Sequence, residues 1–398
     1  MKTIFNSLGS NYSLRFAMQA LFGRSKKTSS DDLKAYLKTE FGGEVTLFYK
    51  ARQAIEYALD ICNFPKGSKV AVAGFTCAVV PKAVEHAGLT TVFVDVEPND
   101  VNFEITSLEQ TYNENSKIRA VIIQNSFGFT QNIQPIEKFC RERNLVLIED
   151  LAHSVGATYP DGRKAGTIGD FVILSFSQDK LLDAVSGGTL IARNPHLTNV
   201  PTKKWSKVSF LEQLRDRFYP SLTYKIRFMY GVGFGKPYHW ILKNLHALSM
   251  PVYNLEKTDF KILPSWEAEL ALFRLKNLPQ ELFERRKRAQ MYLNDLILHT
   301  VVTKESISRS SCLRVPLRID NRDEFIRFAR QNKIHISDIW YDVPVSPKRY
   351  WGLFSKGFTL PNAIDLSERI INFPTHMNMS DENVKKVIEV YKKWKFGK

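Results

Sequence analysis

Acid is in short supply in this chain: 41 Asp and Glu stand against 56 Lys and Arg, a formal net charge of +15 at pH 7. Such an excess suits an anionic partner, and nucleic acid, an anionic lipid surface and anionic substrates all answer that description. No zinc-finger spacing, no aromatic RNA-binding motif and no helix-turn-helix accompanies the charge, which disfavours nucleic acid. Cysteine is sparse. Cys62, Cys77, Cys140 and Cys312 lie far apart, with no C-x-x-C pair and no His at ligand spacing, so neither a zinc site nor a disulfide framework is expected, and a reduced, cytoplasmic setting fits better. Long apolar runs are absent: nowhere do 18 consecutive apolar residues occur, and the N-terminus has no stretch like the core of a signal peptide. No membrane span and no secretory leader are expected.

What is present is the composition of a folded protein, with 44% hydrophobic and 24% charged residues. At 398 residues the chain exceeds one ordinary core, and roughly two or three domains are expected. From Lys69 to Asn194, β-branched runs alternate with helical ones. Strands are predicted over Lys69–Gly74, Thr91–Val96, Arg119–Asn125, Leu145–Asp150, Phe171–Ser177 and Gly188–Ala192, and helices over Val79–His86, Ile105–Glu114 and Ile133–Arg143. This rhythm predicts an α/β fold with a mostly parallel sheet covered on both faces, whose ligands sit at the carboxyl ends of strands.

The texture then changes. Residues 196–255 form an insertion rich in aromatics and bases, among them Lys203, Trp205, Phe218, Tyr224, Phe228 and Trp240, and it does not read as more sheet. A long amphipathic helix follows over Ser265–Leu296, with a break or kink expected at Pro279. A strand Arg314–Arg318, a helix Asp323–Asn332, a strand Ile334–Trp340 and a last helix Asp381–Trp394 close the chain as a smaller α/β domain. The expected organisation is an ancillary N-terminal arm (1–45), ending in a helix N-cap at Ser29-Ser30-Asp31-Asp32, a large domain (46–255), a bridging helical region (256–310) and a small domain (311–398).

Chemistry concentrates in two stretches. Glu149-Asp150-Leu-Ala152-His153 ends one predicted strand, and Gly169-Asp170 leads through Ser175-Phe176-Ser-Gln-Asp-Lys180 to Gly187-Gly188. A carboxylate at a strand end and a lysine thirty residues later can approach one small ring. Pyridoxal phosphate uses such a pair: an amine to hold and release its aldehyde, and an anion that keeps its ring nitrogen protonated.

In the order and spacing of these pieces the sequence resembles the DegT/DnrJ/StrS family of sugar aminotransferases, across nearly the whole chain apart from the N-terminal arm and the basic insertion. The resemblance implies the fold of aspartate aminotransferase (fold type I), pyridoxal 5'-phosphate as cofactor, and a homodimer. It implies Lys180 as the Schiff-base lysine and Asp150 as partner of the ring nitrogen, with Ser175 on the phosphate and His153 beside the ring. Ala51 and Arg52 open a helix where the family binds phosphate, with Ala51 replacing the family's glycine. Thr76 and Cys77 stand at a strand end where the family has a threonine and then a stacking aromatic. Cys77 is not aromatic, so the platform is missing or is supplied by Phe75 or another ring. Asn125 falls where the family places a polar residue near the ring oxygen. Thr258-Asp259-Phe260-Lys261 aligns with an Asn-x-Arg element that comes from the partner subunit, and here Asp259 and Lys261 replace its Asn and Arg.

The activity implied is transfer of an amino group, from glutamate, to a keto group of a nucleotide-activated sugar. Sugar dehydratases in the same family resemble this pattern with His in place of Lys180, which disfavours them here. Two alternatives stay open: a cofactor-binding relative with a regulatory role, and an aminotransferase acting on a lipid-linked or non-sugar acceptor. The insertion and arm read either as a packed helical subdomain or dimer interface, or as a peripheral surface for anionic lipid at the inner membrane face.

Overall fold

The computed structural model describes residues 3–197, 204–250, 252, 254–298, 300–355 and 357–397. Its centre is a nine-stranded sheet of β1 (Glu44–Phe48), β2 (Lys69–Ala73), β3 (Thr90–Val94), β4 (Ile118–Gln124), β5 (Val146–Asp150), β6 (Phe171–Ser175), β7 (Gly188–Ala192), β8 (Trp205–Lys207) and β9 (Phe260–Ile262). The spatial order is β8-β9-β1-β7-β6-β5-β4-β2-β3. Strands β6, β5, β4, β2 and β3 run parallel, while β7 and β1 turn the sheet antiparallel on one side. Alternation along each parallel strand feeds two cores: Val70, Val72, Ala120 and Ile122 enter one, Ala71, Ala73, Val121 and Ile123 the other. Burial on both faces is why these segments read as continuous apolar runs. The chain leaves β2 for β3 on one side and returns with β4 on the other, so the sheet order reverses between β2 and β4, where a crevice opens at the carboxyl ends.

Five helices matter for the site and its surroundings. These are α1 (Leu14–Phe22), α2 (Ser29–Phe41), α3 (Ala51–Cys62), α4 (Phe210–Gly231) and α5 (Gly235–Asn244). The segment Ser265–Asp295 runs as one helix through Pro279, so the expected break is absent. Helix α2 begins at Ser29 behind Thr28, whose side chain makes no capping bond; Asp31 and Asp32 lie in the first turn, where the helix dipole favours them.

Three expectations change. The insertion does reach the sheet, because Trp205–Lys207 pairs in parallel with β9 at its edge, although Lys203 lies outside the described residues. The predicted strand Ile334–Trp340 shrinks to Ile334–His335, which pairs with Ile4–Phe5. Beyond it the backbone is satisfied by side chains rather than by a ladder: the Asp338 carbonyl accepts from Asn6 and Arg314, and the Trp340 carbonyl from Asn372. The N-terminal segment, expected as an ancillary arm, is woven inward. Tyr12 is fully buried and donates its hydroxyl proton to Asp183 at 2.6 Å.

Candidate active site

At the crevice lies a cleft of about 400 Å³ lined by Ala51, Arg52, Cys77, Gln124, Asp150 and Ser175, with Lys180, Trp340 and Tyr341 completing its wall. Each sheet residue ends a strand: Gln124 ends β4, Asp150 ends β5 and Ser175 ends β6. Lys180 follows β6 in a loop tied down from two sides. Its carbonyl accepts from Asn11 at 3.0 Å, and Asp183 accepts from the Asp179 and Val185 amides.

The Lys180 amine lies 2.8 Å from His153 Nε2 and 4.3 Å from the centre of the Trp340 ring. On the far side of the imidazole, Nδ1 accepts the Phe127 amide proton at 3.2 Å. Burial, with Lys180 and Arg314 nearby, holds His153 well below its usual pKa, so the ring is neutral. With Nδ1 occupied as an acceptor, the single ring proton sits on Nε2 and points at the lysine. The Tyr341 hydroxyl lies 3.4 Å from the same nitrogen, and Lys180, closer, accepts the proton through its lone pair when uncharged. Burial lowers the lysine pKa in the same direction, against the pull of Cys77 and Asp150. Burial thus favours the uncharged amine, the form that attacks an aldehyde.

Asp150 is buried and accepts one backbone proton, from Ala152 at 3.0 Å. Burial raises its pKa, opposed by that bond and by Lys180. A cation placed against it would be strongly held. At the other end of the cleft α3 starts at Ala51 without a side-chain cap; the Gln53 amide is taken by the Lys50 carbonyl, and the positive end of the helix dipole faces the cleft. Arg52 follows, its Nη1 donating to the Asn254 carbonyl at 2.8 Å. The Gly187-Gly188 pair makes room for this helix start. A Cβ on Gly188 would lie 2.4 Å from the Ala51 Cα, and Gly187 has φ +117°.

Not every sequence candidate reaches the cleft. Thr76 sits behind it, donating to Gln124 Oε1 at 2.7 Å, and Gln124 in turn donates to the Tyr341 hydroxyl at 3.4 Å. Asn125 points away, bonded to Ser154 and Tyr159, so the polar group at that strand end is Gln124, one residue earlier. Phe75 does not replace the missing aromatic: it is buried against Phe127 and packs edge-on to Tyr341 at 5.2 Å. The aromatic surface comes from Trp340, which stacks on His153 at 5.0 Å with an interplanar angle of 15° and lies under Arg314 at 3.9 Å. Sequence reasoning missed Trp340 and Tyr341, although a Trp-Tyr pair beside Asp342 and Pro344 was the available signal.

Beside the cleft, sharing Lys50 and Arg52 with it, lies a cavity of about 600 Å³ that also gathers Arg215, Lys243 and Lys261. Lys261 is held by Glu212 at 2.7 Å, and the Asp259 carbonyl accepts from Gln53 at 2.7 Å. Both residues of the altered Asn-x-Arg element thus have partners within this chain. Among the described residues no cluster of three or more His, Cys, Asp or Glu could hold a metal.

The model of the DegT/DnrJ/EryC1/StrS aminotransferase family matches residues 19–219 and 258–392. The chain belongs to this family. Among its relatives is the GDP-perosamine synthase of Vibrio cholerae, 24% identical over 346 residues, covering 86% of this chain and 83% of the relative. The dTDP-4-dehydro-2,3,6-trideoxy-D-glucose 4-aminotransferase of Saccharopolyspora spinosa is 23% identical over 357 residues, covering 88% and 84%. The solved structure of Helicobacter pylori PseC, an aminotransferase of pseudoaminic acid biosynthesis, superposes with a TM-score of 0.70 over 98% of this chain and 99% of that one at 16% identity, which shows a shared fold. Residues 220–257 of the insertion fall outside the family match.

Proposed function

We propose that this member of the aminotransferase family uses pyridoxal 5'-phosphate bound to Lys180 to move an amino group from glutamate to a keto group of a nucleotide-activated sugar. The observation that carries the reading is the buried Lys180 amine, 2.8 Å from His153, in one cleft with the buried carboxyl of Asp150. The cleft fits the cofactor by chemistry. Asp150, buried with a single backbone donor, suits a protonated ring nitrogen, while the uncapped start of α3, Arg52 and Ser175 would hold the phosphate. When bound, pyridoxal phosphate supplies an electron sink for the substrate carbon. Lys180 would carry the proton between substrate and cofactor atoms, and the His153 Nε2 proton keeps its amine in the basic form.

Two observations support a nucleotide-sugar acceptor. Relatives that cover most of the chain are named for GDP- and dTDP-sugar chemistry, and the adjoining cavity sets Lys50, Arg52, Arg215, Lys243 and Lys261 against the fewer acids Glu212, Asp216 and Glu256, a basic balance suited to a diphosphate. The reading includes a homodimer, by family resemblance, and a cytoplasmic setting, which the unpaired Cys62, Cys77, Cys140 and Cys312 support. Against a purely regulatory role stand Lys180 and Asp150 in one cleft.

The test is the half-reaction. Glutamate should convert the cofactor of the loaded protein to its amine form in a single turnover, with release of 2-oxoglutarate. Asp150→Asn should slow this on the order of a hundredfold or more while leaving the protein folded. A loaded protein inert to glutamate and to other amino acids would refute the aminotransferase reading.

A further inference from the structure

Helix α4 is apolar on two opposite sides. Inward it buries Tyr219, Pro220, Thr223 and Ile226. Outward, at steps of four and then eighteen and twenty-two residues from Phe210, stand Leu214, Phe218, Phe228 and Val232, with Phe210 75% and Phe228 66% exposed. Those spacings keep one helical face, apolar at both ends with Ser221 and Lys225 between them and Val232 just past the last turn. Beyond it α5 adds Trp240 at 68% and Leu245 at 71% exposed, and Phe234 in the connection is 64% exposed. Helix α1 lies antiparallel beside α4, since Arg217 donates to the carbonyls of Ala20 and Gly23 while Arg227 donates to those of Leu8, Gly9 and Tyr12. It too turns Leu14, Met18 and Phe22 outward, opposite its buried Phe16, Ala17 and Ala20.

Charge on this surface has one sign. The acids between residues 204 and 250 are Glu212 and Asp216, and both are engaged inward: Glu212 pairs with Lys261, and Asp216 is buried as acceptor of the Tyr49 hydroxyl. The exposed Lys225 of α4 and Lys236 of α5 are carried by the same helices as the outward apolar side chains. In a symmetric pairing of two copies through this face, bases would meet bases. Anionic headgroups complement them instead, with aromatic rings at the boundary and aliphatic groups below. The end of the hairpin also returns to the cleft. Gln178 donates to the Ser249 carbonyl at 3.1 Å, and Val252 lines the cleft wall.

We propose that α1, α4 and α5 form a docking surface for an anionic lipid bilayer, on which the protein lies with its cleft close to the membrane plane. Among the described residues no helix is long and apolar enough to cross a membrane, so the helices lie in the interface. Residues 220–257, outside the family match, supply Phe228, Phe234 and Trp240, while Phe22, Phe210 and Phe218 lie within it, so the surface extends the shared enzyme beyond its matched part.

The experiment is co-sedimentation of the full-length protein with phosphatidylcholine vesicles, with and without phosphatidylglycerol, at low and high salt. The protein should pellet with the anionic vesicles and be partly released by salt. Phe228→Ser with Trp240→Ser should weaken this by at least about tenfold, and Lys225→Gln with Lys236→Gln should remove the preference for phosphatidylglycerol. Circular dichroism and cofactor binding, which do not depend on the membrane, establish that each variant is folded. Trp240→Phe should abolish the blue shift of tryptophan emission seen on adding vesicles. Absence of binding by the wild type, or equal binding by the double serine variant, overturns the proposal. So does a double serine variant that instead lowers the oligomer mass in light scattering, which would assign the face to contact between copies.

Discussion

Lys180 depends on the proton of a neighbour. Because the neutral form of its amine accepts from His153 Nε2, removing that donor should raise the lysine pKa. His153→Phe should therefore move the acid limb of pyridoxal phosphate binding to higher pH by on the order of one unit, read from binding rates across pH. An unmoved limb would mean that His153 only packs. Beside it, Asp179 sits at φ +62° with Oδ1 buried and unpartnered, and burial, reinforced by Asp183 and Asp338, pushes its carboxyl up to about 7. A carboxyl that holds its proton more tightly folded than unfolded favours the folded state at low pH. The advantage is lost as pH climbs from the unfolded value of 3.8 to about 7 and does not return above it. Asn keeps the shape, tolerates the left-handed backbone and carries no charge. Asp179→Asn should match the wild type in thermal stability near pH 4 and exceed it near pH 8 by about 4 kcal/mol. Equal melting curves at both values would contradict the shift.

At the scale of elements, the close approach of α3 to β7 is the tightest joint in the site. Gly188→Ala drives a Cβ onto the backbone of Ala51, where no side chain can yield, and should cost about 3 kcal/mol and weaken cofactor binding, measured by denaturation and by titration with pyridoxal phosphate. The lysine loop is held in turn by the N-terminal segment. Tyr12→Phe should cost about 1–3 kcal/mol, because it leaves Asp183 short of a donor in a buried site. How far these elements were legible follows from what holds them. Strands β4, β5 and β6 are legible within two residues because burial on both faces writes itself as an apolar run, and the sequence places Asp150 at the end of β5 and Lys180 in the loop after β6. A period of two cannot say which of two polar residues at a strand end faces the crevice, so Asn125 was named where Gln124 stands. The Ile334–Trp340 run is apolar enough for a strand, yet its carbonyls are taken by Asn6, Arg314 and Asn372, partners distant in sequence that no local pattern reveals. The same distance hid the bonds of Asn11 and Tyr12 to the loop around Lys180.

Across the whole molecule, the +15 charge is distributed with purpose. Bases gather around the cavity beside the cleft and on the outward side of the helical insertion, the first suited to phosphates and the second to headgroups. Both uses depend on the same enzyme core, whose central claim is one covalent bond. The direct test is to add pyridoxal phosphate to the purified protein, record the near-ultraviolet and visible spectrum, reduce with borohydride, and locate the label by peptide mass spectrometry, with Lys180→Ala alongside. The expected result is a band that borohydride bleaches, a label on Lys180, and no band in the variant. A protein that develops no band, or a label fixed on another lysine, would contradict it.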